Sequence, residues 1–419
     1  VSAHSPSTPR SPLHNWLAAL AAVIASLAAM AVMATLGLWA AGAADLPDGA
    51  FAPVLAAVLV LAVGGTVRLS GDAGGLAGTE GGLTVIPLSV TLTGALLLGW
   101  CFLRPLHRRT VAGAPGLAAW AAQIAVVWIL AVLGLALAAR RTFEVSLGED
   151  LLGDLGELFG VTPTVGFAAD VLPTVLIGLV WLAGVLLVAL LVSHGAPLPP
   201  ELMRFQAGAR PAARATLGLL LVAVAVALGV ALAVAATRGH AAETFAVILL
   251  GLPNVAWLAL TVGLGATWEG RVEGPFGLPM PRVLDEVLRT PDVSELNLGS
   301  LAEHDGARWW WLLVIAAVLV LATACSMAAT SPARVPPWQH ALRLAVALAL
   351  AVLTVGPTAR VSARIGLSVL GIGDLGEGLT GQVLLEPRLW GALGLALLWG
   401  LAAGFAGAWA VRVLRRRRQ

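Results

Sequence analysis

The sequence predicts an all-α polytopic transmembrane helix bundle: eight full spans, two irregular or re-entrant segments, an internal two-fold repeat and a small β-containing extracytoplasmic cap. Three observations carry that prediction. Apolar residues make up 59% of the 419 positions and charged residues 11%, against roughly 45–50% and about 25% in soluble domains. Apolar runs of membrane length recur along the whole chain, and arginines and carboxylates segregate between alternate connectors. A mean hydropathy of +0.91 argues against a soluble enzyme, a nucleic-acid binder and a disordered regulator. The chain lacks Lys and Tyr and has only Asn15, Asn254 and Asn297, a codon bias expected of a high-GC genome. Cys101 and Cys325 both lie inside apolar runs, which makes neither a disulfide framework nor a metal site.

A helix needs about 20 apolar residues to cross roughly 30 Å of hydrocarbon. Clear runs lie at Trp16–Ala41, Leu83–Leu103, Leu117–Ala139, Pro173–Ser193, Ala215–Thr237, Trp309–Thr330, Trp338–Val355 and Leu389–Val411. Pro53–Val67 would be only about 22 Å long as a helix, and Glu243–Trp268 is interrupted by Gly251-Leu252-Pro253-Asn254. The first run exceeds the length of a signal-peptide core and has a single preceding Arg10, so it reads as a retained anchor, with a cleaved signal as the alternative. Residues 1–15, rich in Ser and Pro, read as a disordered tail. The order of elements divides the rest into a first membrane repeat (16–200), a second (201–411) and a basic tail (412–419).

If the two irregular runs do not cross, one face collects Arg10, Arg104, Arg108, Arg109, Arg204, Arg210, Arg214, Arg334, Arg412 and Arg415–Arg418, with Glu201 as its only acid; the other 22 of 23 acids fall opposite. Positive charge in short loops marks the cytoplasm. Both termini are therefore expected inside, in a multi-pass bacterial plasma-membrane protein. If all ten runs cross, the asymmetry largely disappears. Trp309-Trp310-Trp311, Trp268, Trp39 and Trp390 fall at outer span ends, and Trp16, Trp120, Trp338 and Trp409 at inner ones. Interfacial belts explain this placement; an aromatic substrate cage is the alternative.

A duplication is visible at an offset of 220. Arg140 and Arg360 open similar stretches, and Gly153-Asp154-Leu155-Gly156-Glu157 matches Gly373-Asp374-Leu375-Gly376-Glu377. Two halves that both begin and end inside would be parallel repeats. In the outer connectors Phe143, Val145 and Leu147 alternate with polar residues, as do Val361, Ala363, Ile365 and Leu367. Period two signals short strands; Thr66–Ser70 and Leu83–Pro87 are weaker copies. Residues 269–308 form the longest connector.

No metalloprotease, nucleophile-elbow or phosphate-loop motif occurs, and the seven histidines are scattered. The sequence therefore indicates no enzyme and no cofactor. No carboxylate lies mid-span, which argues against carboxylate-based ion coupling. Three features remain. Pro253-Asn254 breaks an apolar run, as in transporter sites built on interrupted helices; a packed kink is the bland alternative. Gln123 and Arg343 correspond at offset 220, either meeting across the pseudo-axis or, for Arg343, snorkelling to the interface. Asp154, Glu157, Asp374 and Glu377 form either a cation site or a solvated acidic cap. The tail Arg415, Arg416, Arg417 and Arg418 would bind an anionic inner leaflet at about 1 kcal/mol per residue, in preference to nucleic acid.

Gly251-Leu252-Pro253-Asn254-Val-Ala-Trp257, the following Gly263-Leu-Gly265, the missing Lys and the extreme Ala/Leu/Val/Gly content resemble the streptophobe family. That resemblance implies a very hydrophobic actinobacterial membrane protein with no assigned activity. Gly81-Gly82-Leu-Thr-Val-Ile-Pro87-Leu and the Leu-Pro-Asn core are similar, over a shorter stretch, to actinobacterial membrane proteins associated with cell division. Neither supplies catalytic residues. Two functions follow as expectations: a permease for a small solute or lipid, with a substrate site at Pro253, Asn254, Gln123 and Arg343, or a non-transporting scaffold binding another membrane or extracytoplasmic protein.

Overall fold

The computed structural model describes residues 12–72, 77–107, 113–144, 164–194, 198–238, 241–273, 294–332, 335–369 and 381–417. Their first half holds α1 (Pro12–Ala40), α2 (Phe51–Ala62), β1 (Val67–Asp72), β2 (Ala77–Val85), α3 (Leu88–His107), α4 (Gly113–Ala138), β3 (Arg140–Glu144), β4 (Thr164–Ala169) and α5 (Val171–Val192). The second holds α6 (Pro200–Arg238), α7 (Ala241–Gly263), β5 (Trp268–Glu273), β6 (Ser294–Leu296), α8 (Leu298–Asp305), α9 (Trp311–Thr330), α10 (Pro337–Ala359), β7 (Val361–Val369), β8 (Gly381–Pro387) and α11 (Leu389–Arg417). Nine helices among the described residues are long and apolar enough to cross a membrane, and α2 is a shorter apolar helix. The chain is an integral membrane protein.

Several boundaries differ from those the apolar runs suggested. Leu83–Val85 belongs to a strand, and α3 starts only after Ile86-Pro87, because Pro suits a helix start and pushes the residue before it out of the helical region. α6 begins at Pro200, fifteen residues before its apolar run, so most of the expected inner loop 194–214 is helical. At about 1.5 Å per residue α6 measures about 58 Å, roughly twice the hydrocarbon thickness. Glu243–Trp268 is not broken at Pro253: α7 is continuous across it. Residues 12–15, expected in the tail, form the first turn of α1 with Pro12 at its start. The pentapeptides with Asp154, Glu157, Asp374 and Glu377, and also Arg418, lie outside the described residues.

An eight-stranded antiparallel sheet has the order β3-β4-β1-β2-β7-β8-β5-β6. The sequence β3-β4-β1-β2 is thus followed by its positional counterpart β7-β8-β5-β6. The two sets join where Ala77 to Val85 of β2 pair with Val369 to Val361 of β7. Alternation had signalled only β1, the end of β2, β3 and β7; the short β4, β5, β6 and β8 carry Gly, Pro or charge that blurs it. The sheet receives the C-terminal ends of α2, α4, α7 and α10 and leads into α3, α5 and α11.

The two halves repeat hydrogen bonds as well as order. α2 and α7 both end on a left-handed glycine, Gly64 (φ 87°) and Gly265 (φ 94°). Gly64 N–H donates to Leu61 O and Gly65 N–H to Val60 O; Gly265 N–H donates to Val262 O and Ala266 N–H to Thr261 O. These are matching helix-terminating motifs that need a residue without a Cβ at the left-handed position. At the next station Asp170 N–H donates to Thr66 O and Arg388 N–H to Thr267 O. Arg68 pairs with Asp170 in the first half, and Glu269 with Arg388 in the second, at 2.8 Å. The position is the same and the charges are reversed. Arg388 also donates to Glu295 at 2.8 Å; its hydrogen bond to Glu269 first, and then that to Glu295, raise its pKa above the ordinary arginine value. The offset is 220 between the buried faces of α4 and α10 (Ile124 and Leu344, Trp128 and Leu348) and 218 between those of α5 and α11 (Thr174 and Ala392, Gly178 and Ala396).

Helix packing follows residue size. Buried Ala396, Gly400 and Gly404 recur every four residues on α11, a small-residue stripe of the kind that lets membrane helices approach closely. A Cβ on Gly400 would lie 2.3 Å from Ala345 Cα, one on Gly404 2.6 Å from Ala341 Cα, and one on Gly407 2.8 Å from Ala324 of α9. α11 is therefore seated between α9 and α10 with no room to spare. Gly391 and Gly394 have nothing within 4 Å. G400A or G404A is expected to destabilise the purified protein by about 1–3 kcal/mol, read as a lower melting temperature in detergent, whereas G391A and G394A leave it unchanged or slightly raised. At the reversed pair, R68E alone is expected to lower the melting temperature and R68E/D170R to restore it; a double variant no better than the single one would show that the pair has no energetic role.

Candidate functional site

The second half has one apolar core and the first has a main core and a smaller cluster from Ala56 to Ala169, with exchanges between the halves at one joint. The core running from Ala212 to Ala403 takes in Leu88 of α3, and the core from Ala19 to Leu186 has Leu250 of α7 packed against it. Both exchanges occur where α7 of the second half crosses the ends of α1 and α3 of the first. This joint contains Pro253 and Asn254.

Proline has no N–H and crowds the preceding turn, so it weakens a helix at that point. In α7 the turn before the proline is bridged from the other half. Ser89 Oγ donates to Ile248 O at 2.8 Å, and Leu252 N–H donates to Ser89 Oγ at 3.1 Å. The hydroxyl is thus inserted into the turn just before Pro253, where Leu252 would otherwise bond Ile248 directly. One residue beyond the proline, Asn254 Nδ2 donates to Ile86 O at 3.0 Å, and Asn254 Oδ1 accepts from Leu88 N–H at 3.1 Å. Its carboxamide spans Pro87 and supplies a partner to one of the unsatisfied N–H groups that open α3. Close packing completes the contact: a Cβ on Gly37 of α1 would fall 2.6 Å from Leu250.

The other expected site residues lie elsewhere. Gln123 is half-buried on α4, which packs on α1, α2 and α5. Arg343 is half-buried on α10, its guanidinium 3.7 Å from where a Cβ on Gly208 of α6 would be. α10 packs chiefly on α11 and α6. Pro253 is buried and Asn254 half-buried at the joint. The structure therefore keeps Pro253 and Asn254 together and places Gln123 and Arg343 in separate helix packings. A cavity of about 360 Å³ lies at the α1–α2 link, lined by Thr35, Trp39, Leu46, Asp48 and Phe51 among others; it includes neither Asn254 nor Pro253.

Two of the tryptophans assigned to interfacial belts are core residues. Trp120 is 6% exposed and Trp268 fully buried, and each indole N–H is satisfied, by Phe102 O and by Thr261 Oγ1. Trp16, Trp39, Trp310, Trp311, Trp338, Trp390 and Trp409 are exposed, as a belt requires. Arg415, Arg416 and Arg417 sit in the last turn of α11, not in a detached tail, where cations complement the helix dipole.

Ser89 is the functional group that sequence reading missed. Its signal was Pro87-Leu88-Ser89 immediately before an apolar run, a helix-start pattern that gives no hint of a partner far along the chain. No protein-family model, curated protein or solved structure matches the chain. N254A leaves Leu88 N–H and Ile86 O unpaired and is expected to cost about 1–3 kcal/mol, read as a lower melting temperature. S89A is expected to cost less, because Leu252 N–H can then close onto Ile248 O directly.

Proposed function

We propose that the protein is a non-transporting scaffold of the bacterial plasma membrane, built as a doubled chain whose extracytoplasmic sheet is a platform for another envelope protein. The single observation that carries this reading is the use made of Asn254 and Ser89. Every hydrogen bond described for the two side chains closes the joint between the halves, so they act as fasteners, not as solute ligands.

The connectivity supports eight crossings. Gln206 Nε2 and Arg214 Nε near the start of α6 donate to Leu190 O and Val192 O at the end of α5, at the end of the bundle away from the sheet. α6 then runs towards the sheet, and α7 begins a few residues later and itself ends in β5. Trp257 of α7 donates back to Leu220 O of α6 at 3.2 Å. On this reading α7, and its shorter counterpart α2, enter and leave on the sheet side. The opposite face then carries Arg104, Arg204, Arg210, Arg214, Arg412 and Arg415–Arg417 with Glu201 as its one described acid. By the distribution of positive charge it is cytoplasmic, which puts the sheet outside. The repeated strand order and the repeated hydrogen bonds support the duplication. The resemblance to proteins associated with cell division is in keeping with an assembly role.

The second reading, a permease for a small solute or lipid, draws on Pro253 within an apolar helix that does not cross fully. Cysteine accessibility separates the two. In a C101A/C325A background, S89C and N254C are expected to resist a membrane-impermeant maleimide from both sides, R141C on exposed β3 to react from outside, and R416C only after permeabilisation. Labelling of S89C or N254C would mean that water reaches the joint and would replace the scaffold with a permease. Labelling of R416C in intact cells would reverse the orientation.

A further inference from the structure

The face opposite the sheet carries a second group of charges that the scaffold reading does not use. His340, in the first turn of α10, is 5% exposed, and its Nδ1 has no hydrogen-bond partner among the described residues. Arg343 stands one turn after His340 on α10, and Arg412 and Arg415 on α11 reach the end of α9 and the link that leads into α10. They are brought there by the close seating of α11, since a Cβ on Gly404 would fall 3.1 Å from His340 O.

Two of the three arginines are held in place by backbone. Arg412 Nη2 donates to Val335 O at 2.8 Å, and Arg415 Nη2 donates to Ala329 O at 2.9 Å and Ala328 O at 3.3 Å. Each is tied through one nitrogen, leaving the rest of a five-donor fork. Arg68, Arg360 and Arg388, by contrast, make their ion pairs at the sheet. Among the described residues the three cations at His340 have no carboxylate partner. Three like charges at one helix junction repel one another unless an anion joins them. Planar guanidinium forks match the oxygens of a phosphate in geometry and charge.

We propose that Arg343, Arg412 and Arg415 form a binding site for a phosphate group, above the buried His340. The depth of the site points to a phospholipid headgroup as its source. Trp338 and Trp409 on the same two helices are exposed, at 60% and 64%, and such residues lie at headgroup level. Basic pockets between helices at the membrane boundary bind anionic lipids. This site differs from the run Arg415–Arg418 as a general anchor, because it depends on Arg343 and Arg412 and would hold a lipid in fixed number.

Native mass spectrometry of the full chain tests it, after purification in detergent and titration with phosphatidylglycerol or phosphatidylcholine. One phosphatidylglycerol per chain is expected to be retained in preference to phosphatidylcholine. R343Q leaves every described tie of Arg412 and Arg415 intact, so it serves as the variant least disruptive to folding, and it is expected to weaken retention about fivefold. R343Q/R412Q/R415Q is expected to abolish the preference, while R416Q/R417Q keeps it. Displacement of the lipid by millimolar inorganic phosphate would identify free phosphate as the source, and resistance to it a lipid. Equal retention of the two lipids, or a loss in R416Q/R417Q as large as in R343Q, would overturn the site.

Discussion

The structure depends on one constraint: inside a bilayer, backbone groups must find partners within the protein. A helix interrupted by proline at membrane depth is tolerable only if something else completes its ladder. Here Ser89 bridges Ile248 O and Leu252 N–H in the turn before Pro253, while Asn254 accepts from Leu88 N–H at the start of α3, so each half bonds backbone of the other. The exchange is polar, local and reciprocal. It holds together two apolar cores that otherwise share little.

The same constraint explains why the sheet lies at the ends of the helices. Strands within hydrocarbon would leave an edge unpaired, so an open sheet belongs in water. Its described ion pairs are consistent with that, since Arg388 and Arg360 are about half exposed. The reversed polarity of Arg68–Asp170 and Glu269–Arg388 is instructive. An exposed pair in high dielectric is weak and nearly indifferent to which partner carries which sign, so polarity can invert while the strand-to-helix corner keeps its shape. The buried glycine stripe of α11 has no such freedom, because its contacts are steric and allow no exchange of size.

What could be read in the sequence follows the same division. Membrane length and composition announced the spans, and period two announced β1, the end of β2, β3 and β7, because these signals are local and each is set by the burial of a single element. The limits of α6 were missed because its first turns are polar and nothing local distinguishes a helix above the membrane from a loop. Pro253 was visible as an interruption, but the turn before it is bridged by a hydroxyl more than a hundred and fifty positions away. Asn254 was legible as unusual and illegible in role: a carboxamide in an apolar run looks the same whether it awaits a solute or spans a proline on a neighbouring helix. Trp120 and Trp268 show the converse error, since an indole near a span end can face lipid or core and only its neighbours decide.

If the chain is doubled, the places where the halves differ say more about what it does than those where they agree. α7 exceeds α2 by about three turns at its N-terminal end, and Ile248 and Leu250 of that extra length meet Ser89 of α3 and Gly37 of α1. By the offset of the two helix-ending glycines, the position matching Asn254 in α2 is Pro53, which has no carboxamide with which to fasten anything. The carboxamide is therefore contributed by the second half alone, while the first contributes the Ser89 hydroxyl. A transport mechanism that alternates by rocking two equivalent halves needs a joint that can open. A fastening made from both sides, with a hydroxyl of one half threaded into a helix of the other and a carboxamide locked across a proline in return, resists that motion. The bonds that join α7 to α3 thus favour a rigid joint, in keeping with the scaffold proposed above.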